Sequence, residues 1–145
     1  MLSVIQRVTQ AQVQVDQNVI GKIKKGILAL IGIEKMDSEK EAEKLIHKII
    51  QYRIFPDEQG KMNCSLLDIG GELLLVSQFT LVAETTKGTR PGFSAGMPPQ
   101  ESNRLFEYLV GYAKKHHLVV EQGSFGANMQ VSLCNDGPAT FILKV

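Results

Sequence analysis

Between Ala11 and Asp16 apolar and polar positions alternate, with Ala11, Val13 and Val15 set against Gln12, Gln14 and Asp16. A period of two sends one set of side chains into a core and the other into water, so a half-buried strand is expected. Gln17-Asn18 offers a turn and Val19 to Ile23 resumes the apolar pattern, which predicts a hairpin over residues 11–24. From Gly26 to Ile33 the alternation stops and the chain is apolar on both faces, as in a central strand covered on both sides.

The period changes again at Ser38. Ser38 and Glu41 have the spacing of a capping box, and Ala42, Leu45, Ile46, Ile49, Ile50 and Arg53 follow at three- and four-residue intervals, which predicts an amphipathic helix. Its polar face, with Glu39, Lys40, Glu43, Lys44, His47 and Lys48, mixes both signs as a solvated face does. Strand-like residues at Tyr52 to Phe55 are separated from Met62 by the turn sequence Pro56-Asp57-Glu58-Gln59-Gly60. A second turn at 68–71 leads into Glu72 to Phe79, expected to be a buried strand that becomes polar at its C-terminal end. Ala83 to Pro99 is rich in glycine and proline, carries Lys87 and Arg90, and has no periodicity. Loops of that length are uncommon unless functional or disordered, so an active-site lid or a partner-contacting arm is expected.

A second helix is expected from near Gln100, with Leu105, Phe106, Leu109, Tyr112 and Ala113 on one face and cations at its C-terminus in Lys114-Lys115-His116-His117. Strands at Val119-Val120, Met129 to Asn135 and Ala139 to Val145 complete the chain, and Asn135 to Thr140 reads locally as a hairpin connection. Two helices cannot cover both faces of so much sheet. The predicted fold is therefore α/β: one domain over residues 1–145 in three layers, two packed β-sheets and one layer of two main helices.

Composition bounds the function. A chain of 145 residues suits one core, and 43% hydrophobic with 21% charged residues suits a folded globular protein. The longest apolar run, Ile27 to Ile33, is too short to span a membrane, and Met1 to Arg7 lacks the layout of a signal peptide, so a cytoplasmic protein is expected. Cys64 and Cys134 belong to no metal-ligand pattern and are expected to be reduced core residues; neither a metal nor a cofactor is expected. A net charge of +1 gives no broad nucleic-acid signature. Lys22, Lys24, Lys25, Lys87 and Arg90 are the candidates for local phosphate contact.

The familiar nucleophile motifs are missing: there is no P-loop or HExxH, and no GxSxG in the strand-to-helix context that would make it a nucleophile elbow. Polar groups gather instead where apolar strands end. Ser77-Gln78-Phe79-Thr80-Leu81 places two hydroxyls and an amide after a buried strand, able to donate hydrogen bonds to a carbonyl oxygen or to position a water. In Asn135-Asp136-Gly137-Pro138-Ala139-Thr140, glycine and proline allow backbone to approach a ligand closely.

In order and spacing these two stretches resemble the paired SQFTL and NxGPxT motifs of the D-aminoacyl-tRNA deacylases, also called D-tyrosyl-tRNA deacylases. The resemblance runs end to end, through Ile5-Gln6-Arg7-Val8, Tyr52-Arg53-Ile54-Phe55, Gly60-Lys61-Met62-Asn63, Arg90-Pro91-Gly92-Phe93-Ser94 and Met129-Gln130-Val131-Ser132-Leu133, with Ala139 standing where valine is common. It implies a homodimer with active sites at the subunit interface, hydrolysing the ester of D-aminoacyl-tRNA at the acceptor end and rejecting the L-ester. It leaves open whether glycyl-tRNA is also a substrate.

The resemblance further implies that Ser77, Gln78, Phe79 and Thr80 line the catalytic site and that Gly137-Pro138 is cis and selects chirality in the opposite subunit. Met129 and Phe125 would shape the pocket, and Arg7 would fix the Gly-Pro segment. Whether Thr80 or the terminal ribose hydroxyl of the tRNA drives the reaction stays open, with no base in sequence to activate Thr80. Two other readings stand beside this one: a non-catalytic module binding an RNA end or small molecule, and a threonine esterase for small esters.

Overall fold

The computed structural model describes residues 1–117 and 119–145. Its elements are β1 (Leu2–Val15), β2 (Asn18–Ile23), β3 (Gly26–Gly32), α1 (Glu39–Gln51), β4 (Phe55–Pro56), β5 (Met62–Cys64), β6 (Glu72–Ser77), a 3₁₀ turn (Phe79–Val82), α2 (Pro99–His116), β7 (Val120–Gln122) and β8 (Gln130–Lys144).

Six strands form one sheet in the order β2-β1-β3-β6-β7, with β8 along the other edge of β1. β1 is long enough to serve three neighbours. Leu2 to Val8 pair with β3, Ala11 to Val15 pair with β2, and the opposite edge pairs with β8 over nearly its whole length. The register slips around Val8, and there the strand exchanges its inward face: Ile5 packs toward the helices, whereas Val8, Ala11 and Val13 join the inner cluster. The sheet curls until β2 approaches β7, so closely that a Cβ on Gly21 would lie 2.8 Å from the Gln122 carbonyl oxygen. Its two walls are the predicted packed sheets, with Val8, Ala11, Val13, Ile23, Leu28, Leu74 and Val76 buried between them.

The central strands show why both faces had to be apolar. In β3, Ile27, Ala29 and Ile31 face the helical layer while Leu28 faces the inner cluster; in β6, Leu73 and Leu75 oppose Leu74 and Val76 in the same way. β3 and β6 run parallel, Ile31 beside Ser77. The helices cover the outer wall with Leu45, Ile46 and Ile49 from α1 and Phe106, Leu109 and Ala113 from α2, all inaccessible except for a trace. At the start of α1, the Glu41 carboxylate accepts from the Ser38 amide at 3.1 Å and its hydroxyl at 2.5 Å, as the spacing foretold.

Several expectations change. The first turn is centred on Asp16 and Gln17, which have φ of 48° and 65°, and Asn18 already belongs to β2. His47 is not on a solvated face: its Nε2 meets the Tyr112 hydroxyl at 2.7 Å, joining α1 to α2. The His116-His117 pair diverges, His116 against the Tyr112 ring and His117 donating from Nε2 to the Gly71 carbonyl at 2.6 Å. Cys134 is exposed and Cys64 half-buried, contrary to the expected core positions. Cys134 lies on β8 opposite Gln10, at a sheet margin that no further layer covers. Among the described residues, no helix is long and apolar enough to cross a membrane.

The largest difference concerns residues 135–140. They do not connect a hairpin but belong to the continuous strand β8. Thr140 pairs with Gln6 and Asn135 with Val8, so Asp136 to Ala139 bulge out opposite Arg7 alone.

Candidate active site

β6 delivers the first motif. The amide of Gln78 still donates to the Ile31 carbonyl at 2.7 Å, after which the chain leaves the sheet and coils into the 3₁₀ turn. Gly32 lets that turn sit on the end of β3, because a Cβ there would meet Leu81 Cβ and Val82 Cγ1 at 3.0 Å. Ser77 and Gln78 are half-buried, whereas Phe79 and Thr80 are exposed. The Gln78 side-chain amide donates to Thr80 Oγ1 at 2.5 Å. The backbone amides of Phe79 and Thr80 open the turn with no acceptor among the described residues, as the first donors of a helical turn are left.

Ser77 to Phe79 face a cleft of roughly 710 Å³. Ser77, Gln78 and Phe79 form one side; Phe125 and Met129 close another, with Phe125 also 6.2 Å from the core ring of Phe106. The second half of the long loop supplies Phe93, Ser94, Met97 and Pro98, and the rings of Phe79 and Phe93 lie 5.0 Å apart. Among the described residues, those lining the cleft include no histidine, cysteine, aspartate or glutamate. The groups whose proton affinity is displaced lie elsewhere. Hydrogen bonds hold the Glu34, Glu41, Asp68 and Glu84 carboxyls below their usual range, from the N-terminal ammonium, Ser38, Ser65 and Thr86 respectively. The Glu43 carboxylate beside Tyr108 pushes its phenol up to about 12.

The second motif is a separate construction. Arg7, on β1 and 9% exposed, donates from Nε to the Asp136 carbonyl at 2.9 Å and from an η nitrogen to the Ile54 carbonyl at 2.6 Å; Asp136 Oδ2 lies 3.4 Å away. Across the neck of the bulge, Asn135 Oδ1 accepts from the Ala139 amide at 2.6 Å and Asn135 Nδ2 donates to Thr140 Oγ1 at 2.8 Å. Gly137 has φ of 136° and is joined to Pro138 by a cis peptide bond. A Cβ at Gly137 would lie 2.9 Å from an Arg7 η nitrogen, so the guanidinium fills the space that only glycine leaves open.

Ser77, Gln78, Phe79, Phe125 and Met129 are thus brought together, with Thr80 attached through Gln78. Arg7, Gly137 and Pro138 form their own cluster and do not line this cleft. Neither do Lys22, Lys24, Lys25, Lys87 or Arg90; the cleft's cation is Lys35, which the charge pattern gave no reason to single out.

The cleft is apolar apart from Lys35, several hydroxyls and the Gln78 amide, and among its described residues it holds hydrogen-bond donors but no histidine, cysteine or carboxylate, the class of site that can bind a carbonyl oxygen. Residues 4–144 match the family model described as D-Tyr-tRNA(Tyr) deacylase, and the chain belongs to that family. It is 58% identical to the D-aminoacyl-tRNA deacylase of Pseudoalteromonas translucida and 53% identical to that of Pseudomonas putida strain F1, each over the whole of both chains. Among solved structures it superposes on the c-Myc DNA Unwinding Element Binding Protein with a TM-score of 0.96 and 39% identity, covering 100% of this chain and 99% of that one. A probable eukaryotic D-amino acid tRNA deacylase shares the fold at a TM-score of 0.86 and 15% identity, covering 99% and 98% of the two chains.

Proposed function

We propose that this protein hydrolyses the ester joining a D-amino acid to the 3′ end of tRNA, releasing free tRNA and the D-amino acid. Water adds to the ester carbonyl carbon; the tetrahedral adduct then breaks its bond to the ribose oxygen, which leaves as a hydroxyl with a proton from that water. The Phe79 and Thr80 amides and the Gln78 side chain are the donors available to the carbonyl oxygen as it gains charge.

One observation carries the mechanism: Thr80 Oγ1 is held by an amide donor, and among the described residues the cleft lining supplies no histidine or carboxylate to take its proton. An unactivated hydroxyl is a poor nucleophile. The ribose hydroxyl next to the ester is already positioned by covalent structure, and proximity alone gives it a large advantage in guiding a water or the leaving group. Thr80 is therefore a binding residue in this account, and the RNA contributes the decisive hydroxyl.

Chirality is read by Gly137 and Pro138 of a second copy. Within one chain they stand exposed at the margin of the sheet, outside the cleft that holds Ser77 to Phe79, so they act only if they enter another chain's cleft. A homodimer is supported by apolar side chains left exposed in a single chain, Ile142 at 73% on β8 and Phe79 at 63% beside the cleft. Backbone atoms near Cα exclude an L side chain without sensing which D side chain is present, and glycine, having none, passes the same check. Hydrolysis of D-tyrosyl-, L-tyrosyl- and glycyl-tRNA in parallel tests the proposal. Loss of the D- and glycyl-esters with the L-ester intact supports it, and cleavage of none above the buffer rate refutes it in favour of a binding module.

A further inference from the structure

Lys35 is the one charged side chain among the described residues that line the cleft. Strand periodicity puts it there. Ile31, Ile33 and Lys35 share the cleft side at intervals of two, and the isolated bridge between Glu34 and Gly96 carries the extended backbone past the end of β3. The Lys35 amide donates to the Ala95 carbonyl at 3.2 Å, which ties this residue to the segment bearing Phe93 and Ser94.

The carboxylates closest in sequence are turned elsewhere. Glu34 meets the Met1 ammonium at 3.1 Å and Lys144 at 3.5 Å, and Asp37 meets the same ammonium at 2.6 Å and the Glu34 amide at 2.6 Å. Lys35 has no carboxylate partner among the described residues, so its charge is presented to whatever fills the cleft.

Resting on the ester-hydrolase reading above, we propose that Lys35 binds the phosphodiester immediately preceding the esterified nucleoside and so sets the direction in which the RNA end lies. An aminoacyl-RNA end carries two charges of opposite sign, the α-ammonium of the amino acid and this phosphate. A cation at one side of an otherwise uncharged cleft attracts the phosphate and repels the ammonium, which leaves the ester to be placed at Gln78 and the Phe79 and Thr80 amides. Lys35 is a positioning residue: it holds the RNA and touches no reacting atom.

The test uses Lys35→Met and Lys35→Arg with two substrates, D-tyrosyl-tRNA and D-tyrosyl-adenosine, the same ester without a phosphate. On tRNA, Lys35→Met is expected to raise KM by roughly tenfold with kcat held within about twofold, as the loss of one charge-assisted contact implies. The slope of log KM against log salt should become shallower by about 0.7, the value for one phosphate on a single strand. On D-tyrosyl-adenosine most of the penalty should vanish, and Lys35→Arg should recover most of the affinity for tRNA, which also excludes misfolding as the cause. Equal losses on both esters, or an unchanged KM on tRNA, would overturn the proposal. Failure of the unmodified protein to cleave either D-ester would refute the hydrolase reading itself, a separate result.

Discussion

Replacing Arg7 with lysine separates the charge of this side chain from its geometry. The guanidinium donates simultaneously to the carbonyls of Ile54, at 2.6 Å, and Asp136, at 2.9 Å. Lysine keeps the charge but has one nitrogen, which cannot serve both acceptors in the fixed fork that arginine provides. Ile54 is 1% exposed, so water cannot readily replace a lost donor there. An unsatisfied buried carbonyl costs about 1 to 3 kcal/mol, and losing both charge-assisted bonds in Arg7→Ala should cost about 3 to 5 kcal/mol. In urea, Arg7→Lys should lower the unfolding midpoint by roughly 1 M, given slopes near 1 to 3 kcal/mol per molar for small proteins. The second effect is functional: with its anchor loosened, the Gly137-Pro138 bulge should discriminate less sharply. The ratio of D- to L-tyrosyl-tRNA hydrolysis is expected to fall by about tenfold, equivalent to ~1.4 kcal/mol of selectivity. A variant with lowered stability and an unchanged ratio would refute the positioning role, and one with both unchanged would refute the energetic reasoning as well.

Thr80→Ala should retain turnover within about tenfold, because it removes a hydrogen-bonding hydroxyl and no nucleophile; abolished turnover with intact RNA binding would reinstate the threonine. Gly137→Ala should cost about 1 to 3 kcal/mol, read by thermal melting, since alanine is strained at φ of 136° and its Cβ displaces the guanidinium 2.9 Å away. Acid should destabilise the fold through Glu34 and Asp68, whose folded-state proton affinities lie below their unfolded values near 4.5 and 3.8. Their stabilisation is present above those values and lost as pH falls through the lowered ones, so the melting temperature should drop below about pH 4.5. Glu34→Gln should flatten part of that fall, and an identical pH profile would show that the Met1 contact contributes nothing.

Most of the scaffold was legible because its signals are local. The capping box of Ser38 and Glu41, the apolar run of β3 and the change from apolar to polar at Ser77 each specify their element with little help from the rest of the chain. Asn135 to Thr140 misled for the same reason: asparagine, glycine and proline favour a turn locally, while the strand continues because Arg7, remote in sequence, and the Asn135 side chain satisfy the bulged backbone. Exposure at Cys134 depended on which margin of the sheet stays uncovered, a property of strand order rather than of residue type. The two motifs were found through family resemblance, since neither carries an acid, base or nucleophile pattern. Lys35 escaped notice because its meaning comes from the cleft beside it, and from the ion pairs that draw Glu34 and Asp37 to the other side.

The claim that this site works by orientation, with RNA supplying the reactive hydroxyl, meets its most direct test in one hydrolysis assay run with three substrates and no added metal. These are D-tyrosyl-tRNA, L-tyrosyl-tRNA, and D-tyrosyl-tRNA lacking the 2′-hydroxyl of its terminal ribose. The account predicts rapid loss of the intact D-ester alone. Comparable cleavage of the deoxy substrate would contradict it and return the chemistry to Thr80.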